Sequence, residues 1–150
     1  MSDDLSDLYQ QVILDHSRSP RNFKVLADAN QQAQGRNPLC GDQVHVYLKV
    51  NGEQIQDISF QGSGCAISKA SASVMTTVLK GKTKAEAKAL FDKFHHTVTT
   101  GASPDGEKLA VFAGVHKFPA RVKCAILPWH AVAAALEGKA DPVSTENENS

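Results

Sequence analysis

Val44, Val46, Leu48 and Val50 alternate with His45, Tyr47 and Lys49 along one uninterrupted run. Alternation at period two gives a strand a single apolar face. Asn51-Gly52 follows at once, a dipeptide that takes the positive φ angles of a type I′ turn. Residues 55–61 then read as a strand returning beside the first. Ile55 and Ile58 fall on opposite parities, which predicts a bulge or a slipped register. A lone hairpin is marginal in water, so the rest of the chain has to cover its apolar face.

The cover reads as helical. After Gly62-Ser63-Gly64 the period lengthens, and Ile67, Ala70, Val74 and Val78 form a stripe that Gly81 can stop. Thr83-Lys84-Ala85-Glu86 has the form of a capping box and opens a second helix with Ala87, Leu90, Phe91 and Phe94 on one face. Leu5, Leu8, Val12 and Ile13 predict a helix near 3–17, ended ahead of Ser19-Pro20. Phe118-Pro119 starts a last helix, continued by Val122, Ala125, Ile126, Trp129, Val132, Ala133 and Leu136. Pro128 predicts a kink or a split there, because it cannot donate to the Cys124 carbonyl. Residues 21–36 are polar, with a short strand expected near 32–36. Residues 99–107 read as a loop and 108–114 as a short helix. The expected fold is α+β, a small three-stranded antiparallel sheet with helices packed on one face. It forms one domain over 1–140, followed by a polar, disordered tail over 141–150.

The 150 residues carry 16 basic and 16 acidic side chains, a formal net charge of zero. That excludes a phosphate backbone as the main partner, which needs a surplus of Lys and Arg. The cluster Lys80, Lys82, Lys84, Lys88 and Lys93 reads as a solvated helix face. No apolar run is long enough to span a bilayer. Met1-Ser2-Asp3-Asp4 is acidic and leads into no apolar core of a signal peptide. The expected location is therefore the cytoplasm, a reducing compartment in which thiols stay free.

Three cysteines stand out within this frame: Cys40, Cys65 and Cys124. An odd count excludes a fully paired disulfide framework. Cys65 follows a glycine turn at the start of a helix, where backbone N–H groups and the helix dipole favour thiolate. Cys124 has Arg121 and Lys123 nearby, which favour the same form. Asp42, two positions after Cys40, offers an oxygen. Three sulfurs and one oxygen match the tetrahedral coordination of zinc. Free cysteine is also among the most buried residue types, and an Asp at a turn often bonds only its own backbone. Spacing alone leaves both readings open. The six histidines, His16, His45, His95, His96, His116 and His130, could also ligate or act as bases. His45, on the outward face of a strand, reads as a surface imidazole, and His95-His96 as a solvated helix end.

Four segments taken in order are more specific than any cysteine alone. They are Asp15-His16 through Pro20-Arg21-Asn22, Asn37-Pro38-Leu39-Cys40-Gly41-Asp42, Gly62-Ser63-Gly64-Cys65-Ala66-Ile67-Ser68 with Ala70-Ser71-Ala72-Ser73, and Arg121-Val122-Lys123-Cys124. Together they resemble the IscU-like (NifU N-terminal-like) family of iron–sulfur cluster assembly proteins, and within it the SufU branch, over nearly the whole chain. The scaffold branch carries a Leu-Pro-Pro-Val-Lys chaperone motif and a His just before its third Cys. Here Phe118-Pro119-Ala120-Arg121-Val122-Lys123 replaces the motif, and Lys123 stands in place of the His.

The resemblance implies that the three cysteines and Asp42 meet at one exposed end of the sandwich. It implies zinc held by Cys40, Asp42, Cys65 and Cys124, with Cys40 accepting sulfur and Arg121 assisting beside the site. The partners it implies are a PLP-dependent cysteine desulfurase of the SufS type and a downstream SUF assembly complex. For Cys40 to attack, it has to leave the metal, and a partner histidine taking its place would release it. The alternative it implies is an IscU-like scaffold on which a transient 2Fe–2S cluster forms on the same residues.

Overall fold

The computed structural model describes residues 2–38, 41–102, 108–138 and 143–144. Helix α1, Ser2–Arg18, leads into strand β1, Gln31–Asn37, then β2, Asp42–Asn51, and β3, Gln54–Ser63. Helices α2, Ala66–Leu79, and α3, Lys84–Thr100, follow, then a 3-10 helix, Lys108–Lys117, and helix α4, Pro119–Leu136. Val143–Ser144 forms a short strand, β4.

Strands β1, β2 and β3 make the expected antiparallel sheet, in the order β3-β2-β1, and β4 adds in parallel at the free edge of β1. Alternation sets the register. Val46 faces both Ala33 and Phe60, and Leu48 faces Ile58, all buried. The parity break expected between Ile55 and Ile58 is a bulge. Lys49 pairs with Asp57 but Val50 with Ile55, so Gln56 is the extra residue on β3.

The helices lie on the apolar face. Capping chemistry sets two of their starts. Thr83 and Glu86 exchange both bonds of a capping box at the head of α3, and Pro119 opens α4 where its missing N–H costs nothing. Trp129 stacks on Phe94 with ring centroids 4.7 Å apart, and Phe94 meets Phe112 edge-on. These buried aromatics join α3, α4 and the 3-10 helix over the sheet. The expected split at Pro128 does not occur. Helix α4 runs through it, held by the continuous buried stretch from Cys124 to Trp129. Tertiary packing here outweighs one missing hydrogen bond.

The chain changes sheet edge between α1 and β1. Phe23 bridges to Phe60 at the β3 edge, and Asn30 N–H reaches the Leu48 carbonyl on β2. Between them Asp28 pairs with Lys49, whose side chain stands on the face away from the helices. Of the expected tail, only Val143–Ser144 is described. Among the described residues no helix is long and apolar enough to cross a membrane.

Candidate metal centre

Three elements end at one edge of the sandwich. Strand β2 starts there with Asp42, 1% exposed. Strand β3 leaves it through Ser63 and Gly64 into Cys65, the N-cap of α2. Helix α4 arrives with Cys124, fully buried. One oxygen of Asp42 and the sulfurs of Cys65 and Cys124, atoms that could hold a metal ion, all lie within 4.8 Å of one another.

Asp42 organises the turn. Its Oδ1 accepts the Cys65 backbone N–H at 2.7 Å, and its Oδ2 lies 3.7 Å from Cys65 Sγ. Gly64 makes this approach possible. It sits at φ +145°, and a Cβ there would overlap the Asp42 carboxylate. Cys65 Sγ in turn accepts the Ser68 N–H at 3.4 Å, so the sulfur occupies the place of a capping oxygen.

The Cys124 thiol beside it and the Ser68 and Ile67 N–H groups bring the Cys65 thiol down to about 6. Burial and the Asp42 charge push the other way. The helix start contributes as expected, but the neighbouring sulfur contributes most.

Cys40 lies outside the described residues. Its two neighbouring anchor positions are described. Asn37 and Asp42 form the last cross-strand pair of β1 and β2, and the Gly41 N–H donates to the Asn37 carbonyl at 2.8 Å. Arg121 is exposed on α4, one turn before Cys124. Its side chain forms no ion pair among the described residues.

The histidines stand elsewhere. His45 bonds Gln32 at 2.7 Å and stacks on Tyr47, on the sheet face away from the helices. His16 Nδ1 meets Ser73 Oγ at 2.7 Å. His116 bonds the Ala113 carbonyl.

Sequence reasoning missed Asn37, which is 1% exposed and directs Nδ2 at Cys124 Sγ, 3.6 Å away. The one available signal was its parity. Ala33, Gly35 and Asn37 share the inward face of β1, and an amide in that row needs a buried partner.

The donor set suits a thiophilic divalent ion. Zinc takes sulfur and carboxylate oxygen at about 2.0–2.3 Å in a tetrahedron, which places ligand atoms roughly 3–4 Å apart. The spacing of Asp42 and Cys65 falls in that range.

The comparisons agree with this architecture. Residues 8–125 match the NifU-like N-terminal domain model. The chain belongs to that family. It is 39% identical over 148 residues to the iron–sulfur cluster assembly scaffold protein IscU of Streptococcus pyogenes, across 97% of this chain and 92% of that protein. It is 41% identical over 131 residues to the zinc-dependent sulfurtransferase SufU of Bacillus subtilis, across 85% of this chain and 88% of that protein. A crystal structure assigned to iron–sulfur cluster assembly in the SUF system of Fervidobacterium islandicum superposes with a TM-score of 0.78 at 35% identity, covering 84% of this chain and 94% of that one.

Proposed function

We propose that this protein serves iron–sulfur cluster assembly as a zinc-dependent sulfurtransferase, taking persulfide sulfur from a PLP-dependent cysteine desulfurase on Cys40. The observation that carries the reading is the convergence of Asp42, Cys65 and Cys124 within 4.8 Å of one another. Cys40 would be the fourth ligand. Two peptide units separate it from Asp42, which keeps the two Cα atoms within about 7 Å by chain length alone.

When bound, zinc would hold the thiolates deprotonated and shielded from adventitious oxidation. The chain's own residues perform the transfer. The Cys40 thiolate attacks the terminal sulfur of the donor's persulfide. A new S–S bond forms on Cys40, the donor's S–S bond breaks, and the donor cysteine leaves as thiolate. Bonds and electrons balance with no external oxidant. Arg121, exposed one turn before Cys124, offers its guanidinium to the anionic persulfide. The loaded Cys40 then passes its sulfur to the downstream SUF assembly complex. The Bacillus subtilis relative, named as a zinc-dependent sulfurtransferase, supports this reading.

The test is persulfide formation on this protein when it is incubated with a PLP-dependent cysteine desulfurase and cysteine, read by mass spectrometry after alkylation. The wild type gains one sulfur on Cys40 and Cys40→Ala gains none. Sulfur acceptance by Cys40→Ala at the wild-type rate removes the proposal.

A second reading, a scaffold for a transient 2Fe–2S cluster on the same ligands, is favoured by the name of the Streptococcus pyogenes relative. Protein purified in air separates the two. Tightly held zinc near one equivalent favours transfer, and a brown protein with cluster absorbance favours the scaffold.

A further inference from the structure

Asn37 and Asp42 flank Cys40 in the sequence, and each contacts one of the other two cysteines. Asp42 accepts the backbone N–H of Cys65. Asn37, its cross-strand partner, donates Nδ2–H to Cys124 Sγ at 3.6 Å. Donor and acceptor are both buried, at 1% and 0% exposure.

The packing shows how this contact is built. Helix α4 crosses β1 where β1 offers only small inward residues, Ala33 and Gly35. A Cβ on Gly35 would meet Leu127 Cδ1 at 3.0 Å and the Ala131 Cβ at 3.6 Å. With Leu127 against Gly35, Cys124 lies one turn earlier on the same helix, level with the next inward position of β1. Any apolar side chain could fill that position. An amide adds a donor aimed at sulfur, and an N–H bond to an ionised sulfur is stronger than one to a neutral acceptor.

We infer that Asn37 is a positioning residue that acts through Cys124. Its N–H withdraws electron density from the sulfur, which makes Cys124 the static, weakly nucleophilic member of the site. Its backbone carbonyl meanwhile accepts the Gly41 N–H. One residue thereby contacts Cys124 through its side chain and Gly41 through its backbone. The inference rests on the metal-binding reading above and adds to it a residue that holds no metal itself.

The experiment uses the full chain loaded with zinc, and separately with cobalt(II) as a spectroscopic probe. Asn37→Leu keeps the approximate volume and removes the donor. Partners behind metal ligands typically set affinity by 10–100-fold, so Asn37→Leu is expected to lose about that factor in a chelator competition. The sulfur-to-cobalt charge-transfer band is expected to move to longer wavelength, because the sulfur lone pairs are no longer stabilised. A purely structural asparagine would change the melting temperature and leave that band in place. A folded Asn37→Leu with wild-type zinc retention and an unmoved band overturns the inference.

If Asn37→Leu does not fold, NMR of the loaded wild type decides. One Asn37 side-chain N–H proton protected from solvent exchange supports the bond to sulfur, and both exchanging at the rate of a free amide overturns it. A wild type that holds no metal would fail the metal-binding reading itself. Sulfur acceptance by Cys40→Ala would fail the transfer role and leave the Asn37 result standing.

Discussion

Asp42 Oδ1 accepts the backbone N–H of Cys65 at 2.7 Å, while Oδ2 of the same carboxylate lies 3.7 Å from the Cys65 sulfur. One side chain therefore closes the turn from β3 into α2 and supplies an oxygen to the sulfur pair. Asp42→Ala removes both functions. It is expected to weaken zinc retention in a chelator competition and to destabilise the metal-free fold by about 1–3 kcal/mol, the usual cost of a buried donor left without its acceptor. Urea unfolding of metal-free and zinc-loaded protein measures the two effects separately, and unchanged zinc retention would count against Asp42 as a ligand.

The lowered pKa of Cys65 gives metal-free protein a defined pH dependence. The Cys124 sulfur and the N–H groups at the start of α2 bring the folded Cys65 thiol down to about 6, so between about 6 and the ordinary thiol range the unfolded chain binds more protons. Stability then rises with pH across that window. The contribution is fully present above the ordinary thiol range and is lost as pH falls through about 6. Chemical denaturation of zinc-free protein across this range should show the rise, and Cys65→Ser should flatten it. A profile identical in wild type and Cys65→Ser would refute the assignment.

Gly64 is a position where a methyl group has no room. At φ +145° with the Asp42 carboxylate against it, Gly64→Ala incurs backbone strain of about 1–3 kcal/mol and displaces the carboxylate. Lower thermal stability and weaker zinc binding are expected together. By contrast, Gly114, with open space around its would-be Cβ, should accept alanine with wild-type zinc binding.

Ser73 ties the N-terminal helix to the core. Its Oγ accepts the Arg21 N–H at 2.8 Å and meets His16 Nδ1 at 2.7 Å. Ser73→Ala removes that acceptor from the Arg21 N–H, at about 0.5–1.5 kcal/mol for a partly exposed bond. Hydrogen exchange should speed up across α1, Ser2–Arg18, more than across β2. Equal protection of α1 in both proteins would show that the serine does not hold it.

Local chemistry made much of this fold legible. The alternation through Val50, the capping box at Thr83 and the proline opening α4 each act over a few residues, and each yielded the expected element. Asn51-Gly52 marked the hairpin but not its turn type: Asn51 pairs with Gln54 as the last residue of β2, and of the two turn residues, Gly52 and Glu53, only Gly52 has a positive φ, where a type I′ turn needs two. The bulge was visible as a parity break between Ile55 and Ile58 before its position was known. Pro128 misled in part, because a sequence signal for a broken helix carries no information about the packing that holds α4 together.

The sequence by itself determined the strand and helix periods, the count of three thiols and the motifs that carry the family likeness, since all of these are properties of neighbouring residues. Only the tertiary structure decided that Asp42, Cys65 and Cys124 meet and that Asn37 reaches Cys124. The Asp42–Cys65 contact depends on the close approach at Gly64, and the arrival of Cys124 on how closely α4 lies against β1, which is set by the small inward side chains of β1 and by Leu127 packed over Gly35, far away in the sequence.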